Sequence, residues 1–463
     1  MKIRTRCALA AGWLAVANSI SFAEAPFIEM DTPPASAAPA ASAPAALPPS
    51  AANSATVTTV APVTSAPGNA AGCTSCATCG QPCCARGCDQ VNYLFPQDGR
   101  FRVRGWLDGG KVYNYSNPRS HFNGPYNATD RDELVFNQAY GIVERTLPLN
   151  GCCGVGGRMD VMYGFDFNLA QSRGFELRPD GTNHWNGDYY GLSVPQLYGE
   201  VGSERLSMKA GHFYSIIGYE SVMAPENFFY THSYSYMFAG PFTHWGALAT
   251  WKPNDRWTIE SGVVNGWNAL DREDDSPAYM GRIKFTGECN RWWTSLAVIT
   301  GDDQATIPGI LNREVTGNLT RYSYLLGVNP TKRLEYVFHQ WLGAQEDGGR
   351  RGQTALWYGI DQYAYFKVRD CLKSGLRFEW FRDEDGTRVG LNRPNNPNKV
   401  PLPGNYFALT LGSNWNPLGM ANVLIRPEIR WDWVTDTSRL RLPYSDGRKN
   451  NQILASADMM IKF

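Results

Sequence analysis

The last twelve residues, Gln452 to Phe463, alternate in character. Ile453, Ala455, Ala457, Met459, Ile461 and Phe463 take the odd positions, while Gln452, Ser456, Asp458 and Lys462 fall on even ones. A period of two marks a strand with one apolar and one polar face. An apolar strand left at a sheet edge invites aggregation. The pattern is accommodated if this strand pairs with the first strand of its sheet and closes a barrel. No edge then remains, and the apolar face meets lipid.

From about Phe101 onward the same texture repeats. Stretches of roughly ten residues alternate and then turn, which is the signature of membrane-spanning strands. In Ala421 to Trp433, one face carries Val423, Ile425, Pro427, Ile429, Trp431 and Trp433; the other carries Asn422, Arg426, Glu428, Arg430 and Asp432. Two faces so different call for two solvents, lipid outside and water inside. Connections also alternate in length. Short turns are expected at 203–204, 253–255, 287–290, 329–331, 369–371 and 417–419. Long loops are expected near 117–132, 169–194, 215–240, 268–277, 301–319, 344–353, 383–404 and 434–450. Eight long loops imply about sixteen strands, with short turns on the periplasmic side. The fold class expected is therefore all-β, a transmembrane antiparallel β-barrel preceded by a disordered N-terminal arm.

Composition removes several classes. The 463 residues hold 43 basic and 43 acidic side chains, so there is no basic footprint for nucleic acid. No apolar run is long enough for a spanning helix. The mean hydropathy of −0.36 is compatible with a barrel, whose strands are only half apolar. Aromatic residues are abundant (15 Trp, 23 Tyr, 21 Phe). Trp251 with Trp257, Trp292 with Trp293, and Trp431 with Trp433 lie near strand ends and suit interfacial girdles.

Before the barrel, residues 1–23 read as a secretory signal, with Lys2, Arg4 and Arg6 ahead of an apolar core. Residues 24–72 are rich in Ala, Pro and Ser and lack the apolar side chains needed to fold. Residues 73–90 hold Cys73, Cys76, Cys79, Cys83, Cys84 and Cys88. Their spacing partly matches an iron–sulfur ligand run, but Cys84 stands where that run has Pro. Disulfides, a zinc site and a cluster all remain open; export favours disulfides. The barrel domain is expected over 94–463. Cys152, Cys153, Cys289 and Cys371 would lie on the periplasmic side. Cys289 and Cys371, four strands apart, would be on the order of 20 Å from each other, too far for a disulfide.

Gly105-Trp106-Leu107-Asp108-Gly109-Gly110, Gly211 to Glu220, Pro241 to Gly246 and Asn265-Gly266-Trp267-Asn268 carry a resemblance. From about Gly105 to Phe463 the chain resembles the bacterial outer-membrane β-barrel porins, nearest the OmpL-like beta-barrel porin-2 group. The resemblance implies a passive outer-membrane channel and brings no site residues with it. In general porins the third outside loop folds inward and narrows the pore, and the stretch from Ile216 to Gly240 is similar in position.

Charges that alternation turns toward the lumen include Arg158, Asp160, Lys209, Glu260, Glu335, Arg377, Glu379, Arg426, Glu428, Arg430, Asp432, Asp458 and Lys462. Glu220 and Glu226 are expected to face Arg377, Arg426 and Arg430 across a constriction, where charged rings set selectivity. The mixed signs suggest low selectivity; cross-strand pairing would also account for them.

Enzymatic signals are few. Gly105 to Lys111 spells G-x-x-x-x-G-K, but Val112 replaces the required Ser or Thr. The six histidines lack metal spacing, and no G-x-S-x-G elbow occurs. His232 with Ser233 or Ser235 is the candidate pair for a barrel-wall hydrolase.

The function expected is passive diffusion of ions and small polar solutes through a water-filled barrel, without cofactor, metal or catalysis. The alternatives are an outer-membrane anchor tethered through the Cys-rich arm, and the hydrolase. Expected partners are outer-membrane lipid, the solutes, a periplasmic partner of the arm and, by analogy with porins, two further copies in a homotrimer.

Overall fold

A computed structural model describes residues 93–463, apart from 98, 125–132, 149–152, 179–180, 188, 272–276, 303–304, 307–313, 316, 350–351, 390–400, 418–419 and 438–441. The segment expected to be a secretory signal, the Ala/Pro/Ser stretch, the six clustered cysteines and Cys152 lie outside the described residues.

The first nine strands are β1 (Phe101–Asn114), β2 (Leu134–Arg145), β3 (Gly154–Gly164), β4 (Gly191–Gly202), β5 (Leu206–Tyr214), β6 (Thr243–Asn254), β7 (Trp257–Val264), β8 (Ala278–Thr286) and β9 (Trp292–Asp302). A two-stranded ladder of β10 (Ala305–Thr306) and β11 (Glu314–Val315) lies in the next loop. The wall resumes with β12 (Asn318–Val328), β13 (Leu334–Gln345), β14 (Ala355–Arg369), β15 (Leu372–Asp383), β16 (Gly404–Trp415), β17 (Val423–Thr435) and β18 (Asn451–Lys462). Sixteen of these strands form one closed antiparallel barrel in which β1 pairs with both β2 and β18.

The closure expected from the alternating C-terminal strand is therefore present. Gly110 stands opposite Asp458, and Tyr113 opposite Ala455. Beyond β18 the ladder extends one residue further. Gly105 N–H donates to the Phe463 carbonyl (2.8 Å), and Phe463 N–H returns a bond to the Gly105 carbonyl (2.9 Å). A Cβ at Gly105 would run into the Tyr140 carbonyl and the Phe463 ring, so the close approach of backbone and aromatic ring at this seam needs glycine.

The alternation is read out as two faces. On β18, Ile453, Met459 and Ile461 point outward and are exposed, while Gln452, Leu454, Ser456, Asp458 and Met460 point inward and are buried. Seven short turns and both barrel ends lie at one rim, and eight longer connections at the other, as the sequence pattern predicts. Gly105 to Lys111 forms part of β1 and makes no phosphate loop.

One aromatic placement differs. Trp292 is exposed on the lipid face, but Trp293 is buried toward the lumen under the Lys284 ammonium, 5.4 Å from its ring. Adjacent strand residues point to opposite faces, so only one of this pair joins the girdle. Trp431 and Trp433, two residues apart, share the outer face and stack at 4.4 Å. Cys153 and Cys289 are free thiols on the short-turn side.

Candidate functional site

The connection between β5 and β6, residues 215–242, has no alternation. It carries Tyr219, Phe228, Phe229, Tyr230, Tyr234, Tyr236, Phe238 and Phe242 among small and polar residues. Such a segment cannot pair as a strand, but it has much aromatic surface to bury. It folds into the barrel. Tyr219 packs on Tyr363 of β14 (4.6 Å between centroids), Phe228 on Tyr365 (4.6 Å) and Tyr234 on Tyr406 of β16 (5.8 Å). Each such pair is worth roughly 0.5–1.5 kcal/mol beyond its area. A single helical turn, α1 (Tyr234–Phe238), starts at Ser233, whose hydroxyl accepts from Tyr236 N–H at 3.2 Å.

An irregular loop inside a barrel brings backbone groups that water does not reach, and each must be satisfied. Charged side chains of β15 and β17 do this. Arg377 Nη1 donates to Glu220 Oε1 (3.0 Å) and to the Thr231 carbonyl (2.7 Å). Arg426 Nη1 donates to the carbonyls of Ala224 (2.9 Å) and Asn227 (2.8 Å). Arg430 Nη1 donates to the His232 carbonyl (3.1 Å) and to Glu379 Oε1 (2.8 Å). In the other direction, Glu428 accepts from Tyr230 N–H (2.9 Å) and Thr231 N–H (3.1 Å), and Glu379 from Tyr234 N–H (2.8 Å). The loop is fastened to the far wall over most of its length.

Glu220 and Glu226, expected to face the same arginines, part company. Glu220 is buried between Arg377, Tyr363 and His232, whose Nδ1 lies 3.2 Å away. Burial pushes its carboxyl up, but the Arg377 guanidinium and the His232 contact outweigh that and hold it at about 2. Glu226 is turned to the opposite wall, where Arg158 of β3 and Arg104 of β1 are the cations acting on it. Desolvation prevails there over its Ser221 hydrogen bond and these arginines, raising the carboxyl to about 7. Of the remaining candidates, Glu260 pairs with Arg282 on the neighbouring strand, and Glu335 with Lys373 at 2.8 Å near the short-turn rim, where both are about two-fifths exposed.

The hydrolase candidates serve other ends. His232 stacks on Tyr236 (4.0 Å) and meets Glu220; Ser233 caps α1; Ser235 donates to Asp361 of β14. Asp361 heads a row that sequence reasoning missed. His339 Nδ1 lies 3.0 Å from Asp361 Oδ2, and His339 Nε2 lies 2.9 Å from Ser323 Oγ. The order is that of a catalytic relay, but all three residues are about 1% exposed, and Asp361 Oδ2 also receives Trp341 Nε1 at 3.2 Å. The row ties α1 to the wall. Asp108, Asp361 and Arg321 likewise face the lumen without having been singled out; strand alternation is the signal that would have found them.

The family model described as "Putative beta-barrel porin-2, OmpL-like" matches residues 100–463. No curated protein sequence matches the chain. Solved structures share the fold. The outer membrane channel DcaP of Acinetobacter baumannii aligns with a TM-score of 0.51 at 11% identity, over 81% of this chain and 100% of that one. OmpT of Vibrio cholerae, folded in vitro, gives 0.50 at 9% identity, over 81% and 100%. An anion-selective porin from Comamonas acidovorans gives 0.50 at 9%, over 78% and 99%. With a family match across the entire barrel, the chain belongs to the OmpL-like beta-barrel porin-2 family and is a protein of the bacterial outer membrane.

Proposed function

We propose that this protein is a porin whose lumen passes ions and small polar solutes by diffusion, without catalysis, through a passage narrowed by residues 215–242. The observation that carries this is the inward-folded loop in a sixteen-stranded barrel whose inner face is polar. Barrels of this size leave an aqueous channel when their interior is polar. Lys209, Lys284, Glu335 and Lys373 line the short-turn half and are partly exposed, in keeping with a hydrated vestibule below the loop. Glu220, Glu226, Arg377, Glu379, Arg426, Glu428 and Arg430 are the charges that would shape the narrow part, and Glu260 and Glu335 those of the approach. Stable current steps from purified protein in a planar bilayer test the reading.

The tight packing around the loop favours a second reading, in which the barrel is closed and serves as a membrane anchor for its N-terminal arm. Deleting residues 26–90 separates the two: a porin keeps its conductance, whereas an anchor loses attachment to the envelope. We read the assembly as a homotrimer by analogy with porins, which chemical cross-linking in native membranes checks.

A further inference from the structure

Strand alternation turns Tyr322 and Tyr324 of β12, Gln340 of β13 and Gln362 of β14 toward the lipid. Each is half-buried, while the residues between and beside them on their strands, such as Ser323, His339 and Asp361, are buried inside. These four stand at half-height in the wall. Gln362 is the middle residue of β14, Gln340 is one of the two middle residues of β13, and Tyr322 and Tyr324 flank the middle of β12. Tyr324 lies opposite Gln340, and Gln362 lies opposite Phe338. The two amides are thus diagonal neighbours on one face, about 7–8 Å apart.

The middle of a barrel's lipid face is an apolar band, and tyrosine belongs at its borders. Elsewhere the wall follows this rule. The outward residue at or beside mid-strand is Met159 on β3, Leu296 on β9, Leu409 on β16 and Ile429 on β17, all exposed. The polar patch on β12–β14 is bonded internally but not satisfied. Gln340 Nε2 donates to Tyr322 Oη at 2.8 Å, and Tyr336 Oη donates to Gln362 Oε1 at 2.8 Å. Gln340 Oε1, the Gln362 amide nitrogen and Tyr324 Oη have no hydrogen-bond partner among the described residues. Acyl chains offer none, and a polar group left unpaired in hydrocarbon is costly. The patch therefore holds a spare acceptor beside spare donors. A second copy of the same patch supplies both, because each amide brings what the other lacks. Glutamine side chains in membranes bond across protein contacts in this way.

We propose that the outward patch on β12–β14 is the face through which one copy of this chain meets another within the membrane, Gln340 of one copy accepting from Gln362 of the next. This names the contact face of the homotrimer read above and rests on that reading only for the number of copies.

The test uses the full chain in native outer membranes, with a benzophenone amino acid in place of Gln340, of Gln362 or, eight strands round the barrel, of Met159. Irradiation is expected to join two copies of the chain from the first two positions and not from the third. In detergent, Gln340→Leu combined with Gln362→Leu should release monomer from the oligomer, while the heat-dependent gel mobility shows that each barrel is still folded. Adducts with lipid alone, or with a different protein, at positions 340 and 362 overturn the inference. So does an oligomer that the double variant leaves intact. A native mass of three copies without self-adducts at these positions moves the contact elsewhere and leaves the homotrimer standing. Self-adducts in a particle of two copies do the reverse.

Discussion

Glu220 on the inward loop and Arg377 on β15 meet at 3.0 Å across the lumen, with both side chains almost fully buried. Removing one partner of a buried pair strands the other, at a cost of about 3–5 kcal/mol. Glu220→Ala is therefore expected to loosen the loop, raising single-channel conductance and its fluctuation. Unchanged current in Glu220→Ala combined with Glu226→Ala would show that the loop charges do not shape the passage.

The same pair sets an acid limit. A carboxyl held at about 2, against 4.5 when unfolded, contributes stability above 4.5 that is lost as pH falls toward 2. Loop release, followed by protease nicking between 220 and 236, is expected only in that acid range. Nicking that is already maximal at pH 6 would contradict this.

Glu226 works in the opposite sense. Its carboxyl is raised to about 7, so between 4.5 and 7 the folded state binds the extra proton and stability falls as pH rises. Functionally, below pH 7 the neutral carboxyl adds no charge beside Arg158 and Arg104, which pair with Asp160 and Glu144; above it, the carboxylate adds one negative charge there. Reversal potentials in a salt gradient should show more anion preference at pH 5.5 than at pH 8.5. Glu226→Gln should remove most of that difference, and an identical pH response in the variant would refute the assignment.

Arg321 of β12 is fully buried, and none of its three side-chain nitrogens has a hydrogen-bond partner. Its guanidinium abuts Gly240, where a Cβ would overlap it. A buried charge without hydrogen bonds carries a desolvation cost that an apolar side chain of similar volume does not. Arg321→Met is expected to raise the unfolding temperature, and Gly240→Ala to push the loop end off the wall and increase conductance. A lower unfolding temperature in Arg321→Met would mean that the charge is compensated.

Closure at Gly105 and Phe463 gives a test of the fold. Gly105→Val should impair sealing of β1 to β18, seen as loss of the mobility difference between unheated and boiled protein on a gel. A normal heat-dependent shift would show that the seam tolerates a side chain.

Much of this was legible in the sequence because a barrel is written locally. Alternation gave the faces of β17 and β18, and connection lengths gave the rims. The interior was less legible. Glu220 and Arg377 are 157 positions apart, and nothing local says that they meet. Asp108, Asp166 and Asp458 gather because β1 and β18 close the barrel and a short 3-10 turn after β3 leans inward. That depends on register and loop path, which alternation does not specify. Trp293 leaves the girdle expected of it because the strand period, not the clustering of aromatics, decides each residue's face.

The central claim is a narrow, water-filled passage. Single-channel recording of the purified protein in a planar bilayer, under a salt gradient, tests it most directly. Stepwise, stable currents, smaller than an unobstructed sixteen-stranded barrel would give, are the expected result. Verified insertion with no current at any pH would contradict it and leave a closed anchor in its place.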